Sequence, residues 1–124
     1  MSADATAKLA DFLDEKAKQV KAIETEAEAI IHGKGDQAGY EAKMREKAAL
    51  LSKLSGEAAP LVAALGRGLA DDAAERLDGF SQNAAMSLKV GSVFFMSALL
   101  YPDEHKAGEP NNLELFAAEV RGWA

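Results

Sequence analysis

The stretch Met86 to Tyr101, MSLKVGSVFFMSALLY, decides the fold, and its only charged residue is Lys89. On a helix of about 3.6 residues per turn, its large apolar side chains fall on three sides, so that no side is polar from Val90 onward. A helix that is apolar all round lies either among other helices or in a membrane. The sequence therefore predicts a central helix here, with the other segments packed around it.

Length decides between these two environments. The apolar run from Val90 to Tyr101 has 12 residues, which is about 18 Å of helix. The hydrocarbon core of a bilayer is about 30 Å thick, so a membrane-spanning helix needs about 20 apolar residues. The stretch is therefore predicted to be a buried core helix, and no membrane partner is expected.

Composition sets the size and the charge of the protein. Residues 1–124 are expected to form one domain, and they contain no cysteine. The net charge is −6, and residues 57–124 carry ten acidic against five basic side chains. Because nucleic-acid binding depends on basic side chains that neutralise phosphates, no nucleic-acid partner is expected. Acidic residues stand where a signal peptide would be basic and then apolar, so a cytoplasmic location is predicted.

Residues 3–55 have the pattern of a long helical hairpin. Apolar residues recur at steps of three and four from Leu9 to Ile30, which is typical of an amphipathic helix. A short glycine-containing segment, residues 33–35, ends that helix, and Asp36 can cap a second helix that extends to the end of the hairpin. Because the connection is so short, the two helices are predicted to be antiparallel neighbours.

Residues 58–101 are predicted to form two core helices. The first is expected to end near Asp78, and Gly79 is expected to break the chain before Ser81 caps the second, apolar helix. One bent helix that continues through Phe80 is the alternative.

The last part of the chain is predicted to be a loop followed by a short helix. Residues 103–112 form the longest segment without periodicity, which indicates a loop. Asn111 and Glu114 have the spacing of a capping box at the start of a helix over residues 112–123. The predicted fold class is therefore all-α: an antiparallel helical bundle of four main helices plus a short C-terminal fifth helix.

Few residues are suited to catalysis or metal binding. His32 and His105 are the only histidines, and Glu28 precedes His32 by one helical turn. Di-iron bundles use a three-residue Glu-to-His spacing with further inward glutamates, so no metal site is predicted. The chain has no thiol nucleophile and no G-x-S-x-G motif, so no catalytic residue, no cofactor and no enzymatic activity are predicted.

Four carboxylates crowd the end of the predicted third helix: Asp71, Asp72, Glu75 and Asp78. A regular helix spaces such oxygens poorly for calcium, which takes about six to eight oxygen ligands wrapped by a loop. The cluster is predicted to be a solvated face, with a basic protein partner as the alternative.

The favoured functional hypothesis is a protein-interaction module, either an adaptor or an oligomerisation module. A helix with three apolar sides is hard to cover in so small a chain, so part of it is expected to face a partner protein or a second copy of this chain. The candidate partner or ligand surface consists of Phe94, Phe95, Leu99, Tyr101, His105 and Trp123.

Two alternative functions are kept. One is a small-ligand or metal-binding helical bundle that uses the loop corner from Tyr101 to His105, because carboxylates and a histidine follow the apolar helix there. The other is a chaperone for helical export substrates. The small acidic hairpin of residues 3–55 resembles flagellar and type III export chaperones in shape and charge, without a shared motif.

Overall fold

The computed structural model describes residues 2–123, with side chains from residue 4 onward. Within this range every regular element is a helix and none is a strand, so the predicted all-α bundle is confirmed. The six α-helices are α1 (Ser2–Ala29), α2 (Gln37–Ser52), α3 (Leu54–Ala63), α4 (Arg67–Val90), α5 (Val93–Ala98) and α6 (Asn112–Arg121).

The centre of the bundle is α1, which packs against α2, α3 and α6. Leu9, Leu13 and Val20 lie four and seven residues apart, share one face of α1 and have no exposed surface. The core side chains that α6 supplies are Leu113, Phe116, Ala117 and Val120. The amphipathic pattern of the first helix therefore marks the true core of the fold.

The predicted hairpin and its turn are confirmed. α1 passes through a π-helical turn, Ile30–Lys34, and ends at Gly35, whose φ of +62° is left-handed and suits glycine. The carboxylate of Asp36 accepts a hydrogen bond of 2.9 Å from the amide of Gly39 and so caps α2.

α2 ends earlier than predicted, at Ser52, and α3 begins at once. The reason lies in Ser81, a buried residue in the middle of α4. Its hydroxyl accepts a hydrogen bond from the Ser55 amide and donates one to the Leu51 carbonyl, each 2.9 Å long. These bonds support the backbone at the junction of α2 and α3, so the prediction that Ser81 caps a helix is wrong.

The predicted break at Gly79 is also wrong, and the alternative of a continuous helix is what the structure shows. α4 passes through Gly79 and Phe80 without interruption. A glycine inside a helix costs only about 1 kcal/mol relative to alanine, which tertiary packing outweighs here. α4 ends at Gly91, whose φ is +68°. Residues 58–101 thus contribute to three helices instead of two.

The break at Gly91 divides the apolar stretch on which the sequence prediction rested. The hydroxyl of Ser92 accepts from the amide of Phe95 and caps the short α5. Of the large side chains of this stretch, only Met96 and Leu100 are buried. The prediction of a central helix over residues 86–101 is wrong because α1 takes the central place and the divided stretch lies at the edge of the bundle.

The predicted capping box of the last helix is confirmed. The Asn111 side chain accepts from the Glu114 amide, and the Glu114 carboxylate accepts from the Asn111 amide. α6 then packs the ring of Phe116 6.0 Å from Phe80 and 6.1 Å from Trp123. Across residues 2–123, no helix combines the length and the apolar character that crossing a membrane would require.

Candidate functional site

Four large apolar side chains are exposed where α4 ends and α5 begins. Met86, Val90, Phe94 and Phe95 expose 55%, 56%, 74% and 55% of their surface, and the two phenylalanine rings lie 6.0 Å apart. Met86 and Val90 are one helical turn apart on α4, so their side chains are neighbours. We call these four residues the apolar surface.

A groove extends from this surface along α4. A cleft of about 360 Å³ is lined by Met86, Phe95 and Leu99, and also by Asn83 of α4 and Asn112 of α6. The same two asparagines line a larger cleft of about 760 Å³. We call the two clefts together the α4 groove, because α4 forms one wall of both.

The far end of the α4 groove is acidic. Asp72, Glu75 and Glu119 line it, and Arg76 is the one basic side chain among its described lining residues. Arg76 makes two hydrogen bonds, of 3.0 and 3.1 Å, to Glu119. This pairing lowers the pKa of Glu119 and raises the pKa of Arg76. Arg76 also interacts with Asp72, but three carboxylates against one guanidinium leave this end of the groove with a net negative charge.

A buried ion pair lies between α1, α2 and the end of α5. Lys47 is fully buried, and its ammonium is 2.9 Å from Glu24 and donates a 3.1 Å hydrogen bond to the carbonyl of Ser97. It also lies 5.0 Å from the centre of the Tyr101 ring. The Tyr101 hydroxyl donates a 2.6 Å hydrogen bond to Glu24. We call Glu24, Lys47 and Tyr101 the buried triad.

Burial changes the acid–base properties of the triad. Desolvation lowers the pKa of Lys47, although the nearby Glu24 carboxylate acts in the opposite direction. For Tyr101, desolvation and the bond to Glu24 both raise the pKa. The triad therefore lies at the wall of a cleft, with Glu24 and Tyr101 only partly buried, and each of its polar groups has a partner.

The segment that follows α5 carries backbone strain. Leu100 is buried and has a φ of +77°, a conformation that costs a branched residue free energy. Its carbonyl accepts a hydrogen bond from the amide of Asn112. The hydrogen bond from Tyr101 to Glu24 therefore holds in place a segment in which the backbone of Leu100 is strained.

The structure divides the predicted site residues into two groups. Phe95, Leu99 and Tyr101 line the same cleft, with Phe94 beside Phe95, and the His105 ring packs edge-on against Tyr101 at 4.8 Å. Trp123 instead packs on Phe116 in α6, away from this cleft. Within residues 4–123, no three acidic or histidine side chains converge into a group that could hold a metal ion.

Sequence reasoning missed Lys47, Glu24, Met86 and Val90 as site residues. A signal for Lys47 was present, since it falls three residues after Met44 and four before Leu51 on the apolar stripe of α2. A charged residue inside such a stripe needs a buried counter-ion. Which acid would supply it depends on the packing of α1 against α2, which the sequence alone does not contain.

Replacing Tyr101 by phenylalanine tests the hydrogen bond to Glu24. Because the folded-state pKa of Tyr101 lies above its ordinary value of 10.0, its contribution is complete below pH 10 and is lost as the pH rises further. Wild type should therefore exceed Tyr101→Phe in unfolding free energy by about 1–2 kcal/mol at pH 8, with a smaller difference above pH 10. Denaturant unfolding between about pH 8 and pH 11 measures both.

Tyr40→Phe is the matched control, since Tyr40 lines the same cleft as the triad and makes no hydrogen bond with Glu24 within residues 4–123. It should follow the wild-type profile. A difference between wild type and Tyr101→Phe that is constant with pH would contradict the assignment.

The class of protein that these features define is an all-α helical bundle with an exposed apolar surface, a groove with an acidic end, and an ion-pair cluster around the buried Lys47. No protein-family model, curated protein or solved structure matches this chain.

Proposed function

We propose that this protein is a non-catalytic interaction module that binds a partner protein through its apolar surface. The observation that carries the proposal is the exposure of Met86, Val90, Phe94 and Phe95, each by more than half, at one junction of two helices. Burial of apolar area gives about 25 cal/mol per Å², so four such side chains offer several kcal/mol to a partner. Clusters of this kind mark interaction sites on folded proteins.

The buried triad supports this function by fixing the position of α5. Lys47 donates a hydrogen bond to the carbonyl of Ser97, which lies in α5. Tyr101 follows the end of α5, Ala98, by three residues, and its hydroxyl donates a hydrogen bond to Glu24 of α1. A surface that is already in its binding conformation loses less conformational entropy on association. The triad is also internally satisfied, which supports a structural role for it over a catalytic one.

The experiment compares wild type with the double variant Phe94→Ser/Phe95→Ser. The matched control is Ala59→Ser/Ala63→Ser, two exposed positions on α3. Because all four side chains are exposed, the three proteins should agree in unfolding free energy within about 0.5 kcal/mol. Each is used to recover partners from extracts of the native host, and the recovered proteins are identified by mass spectrometry.

Wild type and the control should recover the same defined protein, and the phenylalanine variant should not. Titration with that purified protein should then show a loss of at least about tenfold in affinity for the phenylalanine variant alone. Light scattering over a range of concentrations tests self-association in parallel. A dimer that only the phenylalanine variant loses would identify the partner as a second copy. Identical recovery and identical mass for all three proteins would refute the proposal.

A further inference from the structure

We infer that the α4 groove accepts one amphipathic α-helix of a partner protein, with basic side chains at the end that lies over Asp72 and Glu75. This inference rests on the proposed function and names the partner's chemistry. It is carried by the shape of the groove and by the separation of apolar and acidic residues along it.

The lining residues follow one face of each flanking helix. On α4 they recur at steps of three and four: Asp72, Glu75, Arg76, Gly79, Phe80, Asn83, Met86 and Ser87. On α6 they are Asn112, Leu115 and Glu119, again three and four residues apart. A trough between two helical faces is the geometry that receives a third helix.

The dimensions fit a helix of moderate length. The lining residues of α4 extend from Asp72 to Ser87, which are 15 positions apart, or about 22 Å along the helix axis. A partner helix of about 18 residues covers this distance. The buried ring of Phe116 packs on Phe80 and so joins α6 to α4 beneath the groove, which Phe80 and the half-exposed Leu115 line. Apolar side chains at the i, i+3, i+4 and i+7 positions of a helix can therefore pack on Met86 and Phe95 in the smaller cleft and on Phe80 and Leu115 in the larger one, whose other side chains are polar.

The charge along the groove sets the direction of the partner. Met86 and Phe95 line one end, and Asp72 and Glu75 line the other. The one basic residue near the acidic end, Arg76, already makes its paired hydrogen bonds with Glu119. Lysine or arginine at one end of the partner helix would meet the two carboxylates, whereas an acidic helix would be repelled.

A second copy of this chain fits the groove poorly. Each chain carries a net charge of −6, so the acidic ends of two grooves would repel. α4 itself carries four acidic side chains and three basic ones. Charge complementarity therefore points to a basic partner instead of self-association.

A peptide library tests the inference directly. Peptides of about 18 residues carry a fixed leucine stripe at helical spacing, and positions in their first and last turns are either lysine or glutamate. The library is displayed and selected on wild-type protein, on the charge-swapped variant Asp72→Lys/Glu75→Lys, and on Phe94→Ser/Phe95→Ser. Glu15→Lys/Glu41→Lys makes the same change in net charge on α1 and α2, outside the groove, and is the matched control.

Wild type and the control should enrich peptides with lysine at one end. The charge-swapped variant should enrich glutamate at that same end, and the phenylalanine variant should enrich no peptide. In titrations, wild type should bind the lysine-ended peptide about tenfold more tightly than its glutamate-ended counterpart at about 0.02 M salt. That preference should shrink at about 0.5 M salt because exposed charges are screened.

Each contrary outcome separates this inference from the proposed function. Peptide enrichment that needs Phe94 and Phe95 but does not distinguish lysine from glutamate would overturn the inference that the partner helix has a basic end. It would leave the proposed binding through the apolar surface standing. If the control variant no longer enriches the lysine-ended peptides, those peptides are attracted by the net charge of the protein alone. That outcome would overturn the groove as their binding site. If wild type selects no helical peptide, the inference fails, while recovery of a partner that depends on Phe94 and Phe95 still decides the proposed function.

Discussion

Replacing Glu24 by alanine is expected to lower the free energy of unfolding by about 3–5 kcal/mol, because it leaves a buried ammonium without its counter-ion. Lys47 has no exposed surface, and Glu24 is its only ion-pair partner within residues 4–123. The substitution also removes the acceptor of the Tyr101 hydroxyl. The Ser97 carbonyl remains, but a neutral carbonyl does not balance a full charge.

The pH dependence of Glu24→Ala provides a second measurement. The pKa of Lys47 is already lowered by burial in the wild type, and loss of Glu24 lowers it further. A lysine with a depressed folded-state pKa contributes stability above its unfolded value of 10.5 and loses it as the pH falls. The variant should therefore become more stable as the pH rises from about 7 towards 10, measured by denaturant unfolding.

Two controls accompany this prediction. Glu15→Ala removes an exposed carboxylate of the same helix and should change the unfolding free energy by less than about 0.5 kcal/mol. Glu24→Leu combined with Lys47→Met removes both charges and should recover a large part of the loss, since an apolar pair of similar size often replaces a buried ion pair without penalty. A Glu24→Ala variant as stable as Glu15→Ala would show that the pair is not buried in solution.

Local features of the fold could be predicted because their causes are local. The left-handed turn at Gly35, the cap at Asp36 and the capping box of Asn111 and Glu114 each depend on residues within one helical turn. Backbone groups at a helix end need a partner nearby, so the choice of residue marks the boundary. For the same reason Gly91 marks the end of α4. The sequence prediction did not use this glycine because apolar residues flank it on both sides.

Features that depend on distant residues could not be predicted. The boundary between α2 and α3 is set by Ser81, which is 26 residues away from Ser55 along the chain. The triad joins Tyr101 to Glu24 across 77 residues. The hydrophobicity of a segment also does not show how deeply it is buried, because burial requires apolar faces of other helices that pack against it. Phe94 and Phe95 are exposed and Leu99 is partly exposed, and the expectation that some of these three face a partner stays a prediction.

The choice of central helix leads to the second large prediction. Leu13→Ala should lower the unfolding free energy by about 2–5 kcal/mol, because Leu13 is fully buried in the main core and its removal leaves a cavity. Phe94→Ala removes a larger side chain from the apolar stretch, yet it should change the unfolding free energy by less than about 0.5 kcal/mol, since Phe94 is 74% exposed. Chemical denaturation of both variants with an unchanged m value measures the two effects.

The order of these two losses distinguishes two folds. If residues 86–101 formed the centre, Phe94→Ala would be the more damaging change, with a loss of about 3–5 kcal/mol for a buried phenylalanine. With α1 at the centre, Leu13→Ala causes the larger loss of unfolding free energy, and the Phe94 side chain remains available to a partner. The same aromatic side chain cannot stabilise the core and remain exposed at an interface, so a small effect of Phe94→Ala on stability is also the condition under which its effect on binding can be interpreted.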